Sequence, residues 1–497
     1  MVNGAAAMFD LVINFWEWVV SGFCDPERKN DLVAQESSVE SGECLIQPSL
    51  DTLAKKWKDE VSRTRILRLQ RFELQQAHVD FLVSKTKQLP LRSIELAWCS
   101  FDLHDGTTDA VLELFQANAA TLESIRFWKT KQEDTVPNEI LHQLLRCHLP
   151  QHMLKIFTLE LNYFDFRPRT LNQSLISMLS TKQPHPCIIR NLDLSFCKTN
   201  LDFIQRFVSQ GLTAHDRLET LSLSGTQMDD TTLRVFVEGL KRTSSKLKRL
   251  NLSHNIFTWE SLVTLAGLLD QHPSLEMLLL NDNSSLFASG FMQDISGQVS
   301  LLVTALCEQS PSLHTLNLAG CSFSNVSRVS STFFQSISNN GKHTKKLGKK
   351  KQTGRLSMRG TLCDLNLSRN PKLMVDSDWV LPLCRCSTLQ ALTLPGHLRS
   401  DEKQYRRLCQ LLVRANLSLV DLQFDLNDNH ERNPLSMPCS PTLEALLRRN
   451  QLLCLARRSS SSLPVSMWPR VVVTLQDGGA DGNATNVYAF IQTLFAP

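Results

Sequence analysis

Apolar residues along this chain keep returning in one spacing, L-x-x-L-x-L, separated by polar stretches of similar length. The clearest copies run Leu218-Leu221-Leu223, Leu247-Leu250-Leu252, Leu275-Leu278-Leu280 and Leu313-Leu316-Leu318; others open at Leu91, Leu122, Ile156, Ile189, Leu362, Leu389 and Leu419. Successive openings lie 31, 34, 33, 29, 29, 28, 38, 49, 27 and 30 residues apart, a period close to 29 with two long gaps. The first apolar position lies an odd number of residues before the second, so the three cannot share one face of a flat strand. A bend just after the first leucine brings all three inward. Each copy therefore predicts a short buried strand, and the regular period predicts parallel strands stacked in sequence order.

Three residues beyond the last leucine, the turn needs a short polar or thiol side chain to satisfy backbone groups inside the coil. The chain places Cys99, Thr130, Phe164, Cys197, Thr226, Asn255, Asn283, Cys321, Asn370, His397 and Asn427 there, and seven of the eleven are Asn or Cys. The segments between phrases carry helical spacing. After Leu218, the positions Leu233, Phe236, Val237 and Leu240 share one face, Asp229 or Asp230 is placed to cap the helix start, and Lys241-Arg242 suits its end. The next repeat does the same with Leu262, Leu265, Ala266 and Leu269. This phrase, joined to a helix opposite each strand, resembles the ribonuclease-inhibitor-like class of leucine-rich repeats from about Thr64 to Leu447. The resemblance implies an α/β solenoid, a horseshoe with about eleven parallel strands on the concave face and helices on the convex face. It leaves function open, because that class includes inhibitors, GTPase activators, immune sensors and cytoskeletal caps.

Four regions follow: an N-terminal amphipathic helix and linker over 1–49, a helical cap over 50–90, the solenoid over 91–447, and a C-terminal cap over 448–497. Within 8–23, the residues Asp10, Asn14, Glu17 and Ser21 form one narrow polar stripe on an otherwise apolar helix. That stripe reads as a docking helix, with interfacial membrane contact through 8–23 as the alternative; acids within it argue against a secretory signal. The cap pattern includes a degenerate strand at Ile66 to Leu69. The long gap before Leu362 carries a basic insertion over 341–360, including Lys345, Lys346, Lys349, Lys350 and Lys351, with eight Lys or Arg and no acid between Asn339 and Cys363. It reads as a solvated loop, a nuclear-import signal being the sharper alternative. In the tail, Leu463-Pro464-Val465-Ser466-Met467-Trp468-Pro469 and Val487-Tyr488-Ala489-Phe490-Ile491 are similar to the ends of uncharacterised repeat proteins of stramenopile algae. Cys454-Leu455-Ala456-Arg457-Arg458 departs from the N-R-x-G-R of that pattern, keeping only its final arginine.

Composition changes little in this picture. The net charge is +4, and removing the basic insertion leaves the rest at about −4. Fourteen cysteines without a C-x-x-C pair, three of them at the turn position, fit a reduced compartment better than a disulfide framework. The cytoplasm is the expected location, the nucleus the alternative. No phosphate-binding loop, H-E-x-x-H, G-x-S-x-G or G-x-G-x-x-G motif occurs, so an enzyme is not expected and no cofactor, metal or small-molecule substrate is called for.

The concave face carries one middle residue per repeat: Glu95, Arg126, Glu160, Asp193, then Ser222, Asn251, Leu279, Asn317, Asn366, Thr393 and Gln423. Charge is confined to the first four. At the strand exits of the same early repeats stand Trp98, Trp128, Tyr163 and Phe196, in a chain with three Tyr and eight Trp in all. Aromatic rings beside charged groups are the usual makeup of a binding hot spot. The preferred reading is a non-catalytic scaffold holding a protein partner on this face, with nucleic acid an unfavoured ligand. The alternatives are a GTPase activator of the Ran-activating type and a membrane-recruited adaptor.

Overall fold

The computed structural model describes residues 45–425 with breaks at 102–106, 130–135, 149–155, 181–187, 214–216, 243–245, 289–294, 307–309, 324–332, 334–361, 385–388 and 416–418, and residues 447 and 450 beyond. The 8–23 segment expected to be a helix, its linker as far as Cys44, the basic insertion and the 448–497 tail other than Asn450 lie outside the described residues, as do Thr130 and Asn427.

Twelve strands form one parallel sheet in strict sequence order. They are β1 (Ile66–Gln70), β2 (Ser93–Ala97), β3 (Ser124–Trp128), β4 (Thr158–Asn162), β5 (Asn191–Asp193), β6 (Thr220–Ser222), β7 (Arg249–Asn251), β8 (Met277–Leu279), β9 (Thr315–Asn317), β10 (Asp364–Asn366), β11 (Ala391–Leu394) and β12 (Asp421–Phe424). The chain folds as an α/β leucine-rich-repeat solenoid. Eleven of the strands are the eleven phrases. The twelfth, β1, is the degenerate copy, and it pairs with β2 over five residues from Ile66↔Ser93 to Gln70↔Ala97. The degenerate strand expected at Ile66 to Leu69 within the helical cap thus forms a full first rung, Ile66–Gln70.

The phrases bury their apolar positions, except that Leu362 and, in the last copy, Leu422 and Phe424 are only partly buried. Leu247, Leu250 and Leu252 are 1%, 1% and 0% exposed, and Leu250 lies in register with Leu221 and Leu278. The helix after Leu218 spans Asp230–Leu240, with the Asp229 carboxylate accepting from the Thr232 N–H at 2.8 Å. Its buried residues are Leu233, Phe236, Val237 and Leu240, the stripe that 3.6-residue spacing predicts.

Inside the coil, the turn residues tie each repeat to the one before it. Asn255 Nδ2 donates to the carbonyls of Leu223 (2.9 Å) and Leu252 (3.0 Å), Asn283 to those of Leu252 (3.1 Å) and Leu280 (2.7 Å), and Asn370 to those of Leu318 (3.0 Å) and Leu367 (2.8 Å). Cys99, Cys197 and Cys321 donate from Sγ to Leu69, Leu161 and Leu280 in the same way. Phe164 has no polar group to offer; it is fully buried and packs edge-on against Phe127 at 5.1 Å. His397 departs from the ladder as well: it opens a short helix, His397–Ser400, and its Nε2 lies 2.8 Å from the Leu373 carbonyl.

Burial, the dominant influence, raises all three ladder thiols, Cys99 and Cys321 to about 12 and Cys197 further. The thiolate is the reactive form. In the native chain at pH 8 these three are therefore expected to resist iodoacetamide and to become labelled only on unfolding, as peptide mapping would read. Labelling of Cys197 in the folded chain would contradict the packing described.

Candidate partner-binding face

The middle concave residues form a continuous row because the strands pair without slippage. Arg68, Glu95, Arg126, Glu160, Asp193, Ser222 and Asn251 are successive register partners. Along a parallel sheet, equivalent side chains stand about 4.8 Å apart, within reach of a salt bridge. Alternating signs exploit this. Arg68 Nε donates to Glu95 Oε2 at 3.0 Å, Arg126 Nη1 to Glu95 Oε1 at 3.1 Å, and Arg126 Nε to Glu160 Oε1 at 2.9 Å. The alternation then stops, for Asp193 follows Glu160 with no cation between them. Asp193 turns to its own strand exit, accepting from the Ser195 N–H at 2.8 Å and from its hydroxyl.

This break loads the cluster with excess negative charge: two cations serve three acids. Burial pushes the Glu160 carboxyl up to about 7; Arg126 opposes the rise, while Asp193 and Glu95 add to it. Burial also raises Asp193, against the lowering effect of Ser195. For Arg126, burial disfavours the cation, but Glu160 and Glu95 outweigh it and hold the guanidinium charged.

A carboxyl raised on folding contributes stability that is present below its ordinary value and is lost as pH rises through the folded one. The window for Glu160 runs from about 4.5 to about 7. His272 works in the opposite sense, because burial lowers it below 6.5. The clean reading is therefore the difference between two proteins that share His272. From pH 5 to pH 7.5, the urea midpoint of Glu160→Gln is expected to fall less than that of the parent chain. Parallel pH profiles would show that Glu160 does not titrate in this window.

Beyond the middle row the strand exits form a second row, and its geometry is set by the backbone. One to three residues past the ends of nine strands the chain turns away through a left-handed conformation: Arg71 (φ 56°), Trp98 (53°), Tyr163 (68°), Phe196 (59°), Gly225 (65°), His254 (55°), Asp282 (61°), Gly320 (64°) and Arg369 (53°). For L-residues other than glycine this conformation costs about 1–2 kcal/mol, and the surrounding coil must impose it. Trp128 differs, being the last residue of β3, in register with Ala97 and Asn162. The four aromatics expected at the exits come together as two pairs. Trp98 and Trp128 are tilted at 58° with centroids 5.2 Å apart, and the Arg71 guanidinium sits 5.9 Å from the Trp98 ring. Tyr163 and Phe196 are stacked at 8° and 5.2 Å. All four residues remain half-buried, their rings packed on each other in pairs along the rim.

The row continues past the aromatics in a way the phrase alone did not reveal. Phe196 reaches His254, two repeats on, at 5.7 Å, crossing Gly225 on the way. A Cβ on Gly225 would stand 2.4 Å from the Phe196 ring, so this position requires glycine for space as well as for its φ. His254 Nε2 lies 3.2 Å from Asp282, and Arg369 Nη2 donates to the same carboxylate at 2.8 Å across Gly320. Arg68, Gly225 and His254 are the members of the face that spacing could have found: each stands one or two periods from a residue already assigned to its row.

Among the described residues, no group of three or more His, Cys, Asp or Glu could hold a metal ion. The charged row instead offers fixed hydrogen-bonding charge beside half-exposed rings.

No protein-family model matches the chain. Over 147 residues, 29% of its length, it is 32% identical to the human NACHT, LRR and PYD domains-containing protein 13, and the match spans 13% of that protein. Among solved structures it is similar to the leucine-rich-repeat protein LegL7 of Legionella pneumophila, with a TM-score of 0.42 and 15% identity over 74% of this chain and 93% of that one. It is also similar to a chain of the yeast Rad7–Elc1 complex, with a TM-score of 0.44 and 13% identity over 87% and 96%.

Proposed function

We propose that this protein is a non-catalytic interaction scaffold that holds a protein partner on its early concave face. The observation that carries this reading is the coincidence, over β2 to β5, of a salt-linked charged row and two half-exposed aromatic pairs at its rim. Rings that bring large area with little rotamer entropy, next to charges already oriented by their neighbours, give affinity and register together. Glu95, Trp98, Arg126, Trp128, Glu160, Tyr163, Asp193 and Phe196 are its residues. The later middle row is uncharged from Ser222 to Gln423 and offers no comparable anchor.

A helix opposite most strands supports the ribonuclease-inhibitor-like class for this solenoid. A membrane-recruited adaptor would rest on 8–23 and on Lys345, Lys346, Lys349, Lys350 and Lys351, all outside the described residues. No helix among the described residues is long and apolar enough to cross a membrane. Neither that alternative nor a Ran-type GTPase activator is favoured by a feature of the concave face.

The test is site-specific photocrosslinking in cells. A benzophenone amino acid at Trp98 or Tyr163 is expected to trap a discrete protein adduct, and the same probe at Gln423 is not. Adducts only from Gln423, or from none of the three, would move the partner off this face.

A further inference from the structure

The charged row does not sum to zero. Arg68, Glu95, Arg126, Glu160 and Asp193 stand on β1 to β5 in that order, two cations against three acids. Glu95 has an arginine on each carboxylate oxygen, Arg126 on Oε1 and Arg68 on Oε2. Glu160 has Arg126 on Oε1, and its register partner on the other side is Asp193. Paired strands set these two positions about 4.8 Å apart. The groups facing them are few. β3 presents Arg126, β2 presents Glu95, and β6 presents the neutral Ser222. The turn after β5 offers the Ser195 N–H and hydroxyl to Asp193. Cys197, close enough to feel Asp193, is raised by burial and stays a neutral thiol. On the rim, His254 stands beside Phe196 and 3.2 Å from Asp282.

Two adjacent carboxyls with no cation between them resist losing both protons. One proton held by the pair brings the five-residue row to neutrality. Burial first, opposed by Arg126 and reinforced by Asp193 and Glu95, sets Glu160 at about 7. Near neutral pH the row therefore passes between a balanced state and one with an excess negative charge. The side chains of Glu95, Arg126 and Glu160 keep 15%, 25% and 16% of their surface in contact with water. A partner seated on the flanking aromatic pairs removes that water, and desolvation penalises the excess charge but not the balanced row.

We propose that the early concave face takes up a proton when it is covered, Glu160 and Asp193 holding one between them, so that a protein partner binds more tightly at pH 6 than at pH 8. This rests on the protein-binding reading above and specifies its regulation.

The probe is a random twelve-residue peptide library encoded without histidine, displayed on phage and selected on the full chain at pH 7. The most enriched peptide is synthesised with blocked ends, so that none of its own groups titrates between pH 6 and pH 8. With the proton half lost near pH 7 in the uncovered chain and kept in the complex, Kd is expected to be about tenfold weaker at pH 8 than at pH 6. Calorimetry at pH 7.5 in buffers of different ionisation enthalpy should show uptake of at least about half a proton. Glu160→Gln, a neutral isostere of the protonated acid, should bind at pH 8 as the parent chain does at pH 6, with less than twofold change between the two. His254→Gln should keep the tenfold dependence. A parent Kd that stays within twofold, or that tightens toward pH 8 as a peptide arginine or lysine would make it do, overturns the proton linkage. So does a pH dependence that survives Glu160→Gln or disappears in His254→Gln. In each of these cases loss of binding in Trp98→Ala/Trp128→Ala leaves the protein-binding face standing. If no peptide is enriched, or the peptide ignores the tryptophan double change, the linkage and the face assignment fall together.

Discussion

Leu250→Ala is expected to destabilise the solenoid by about 2–5 kcal/mol, the cost of a large-to-small change in a packed core. Leu250 is 1% exposed at the centre of β7 and lies between Leu221 and Leu278, so truncation leaves a void that two flanking repeats must share. A solenoid is held by nearest-neighbour contacts, which makes the damage larger than its address suggests. Weakening both interfaces of one central repeat uncouples the segments on either side. Urea unfolding followed by circular dichroism should therefore show a lower midpoint and a broader or two-step transition. A loss below about 1 kcal/mol with an unchanged transition would mean that the seventh rung is not close-packed as described.

The second large effect is electrostatic. Arg126→Ala removes the one cation that touches both Glu95 and Glu160; Glu95 keeps Arg68, but Glu160, its side chain 16% exposed, is left without a cation. Breaking a buried ion pair from one side costs about 3–5 kcal/mol, and partial exposure of this cluster brings the expected loss to about 2–3 kcal/mol. Lys87 and Glu113 provide the control. They are also 3.1 Å apart, but at 63% and 52% exposure. Lys87→Ala is expected to cost no more than about 0.5 kcal/mol. Acid should partly rescue the Arg126 variant, because protonating Glu160 removes the charge left unpaired. Equal losses from the two variants, or a defect in Arg126→Ala that is the same at pH 5 and pH 7.5, would show that the cluster is solvated.

The leucine spacing fixes the strands, their order and their register, because only one placement buries all three apolar positions of each phrase. Leu233, Phe236, Val237 and Leu240 were legible as a helix face for a similar reason. What stayed hidden depends on contacts between repeats that are not adjacent or on positions that break the phrase. Ile66–Gln70 lacks a clear opening leucine, so the sequence shows only a degenerate strand there, and it is the alternating burial and the pairing with β2 that make it a full rung. The reach of Phe196 to His254 depends on the missing side chain of Gly225, which a row-by-row reading passes over as a blank.

In the proposed function the rim aromatics serve binding while the leucine phrase serves folding, and one paired measurement separates these roles. Melting temperature and recovery of the photocrosslinked partner are read side by side for Trp98→Ala/Trp128→Ala and for Leu250→Ala. The tryptophan variant loses a half-buried rim pair 5.2 Å apart rather than a core residue, so it is expected to melt within a few degrees of the unaltered chain and to recover no partner. The leucine variant is expected to melt far lower, yet to recover the partner at temperatures where it remains folded. A tryptophan variant that melts as low as the leucine one, or that retains the partner, would contradict the assignment of this face.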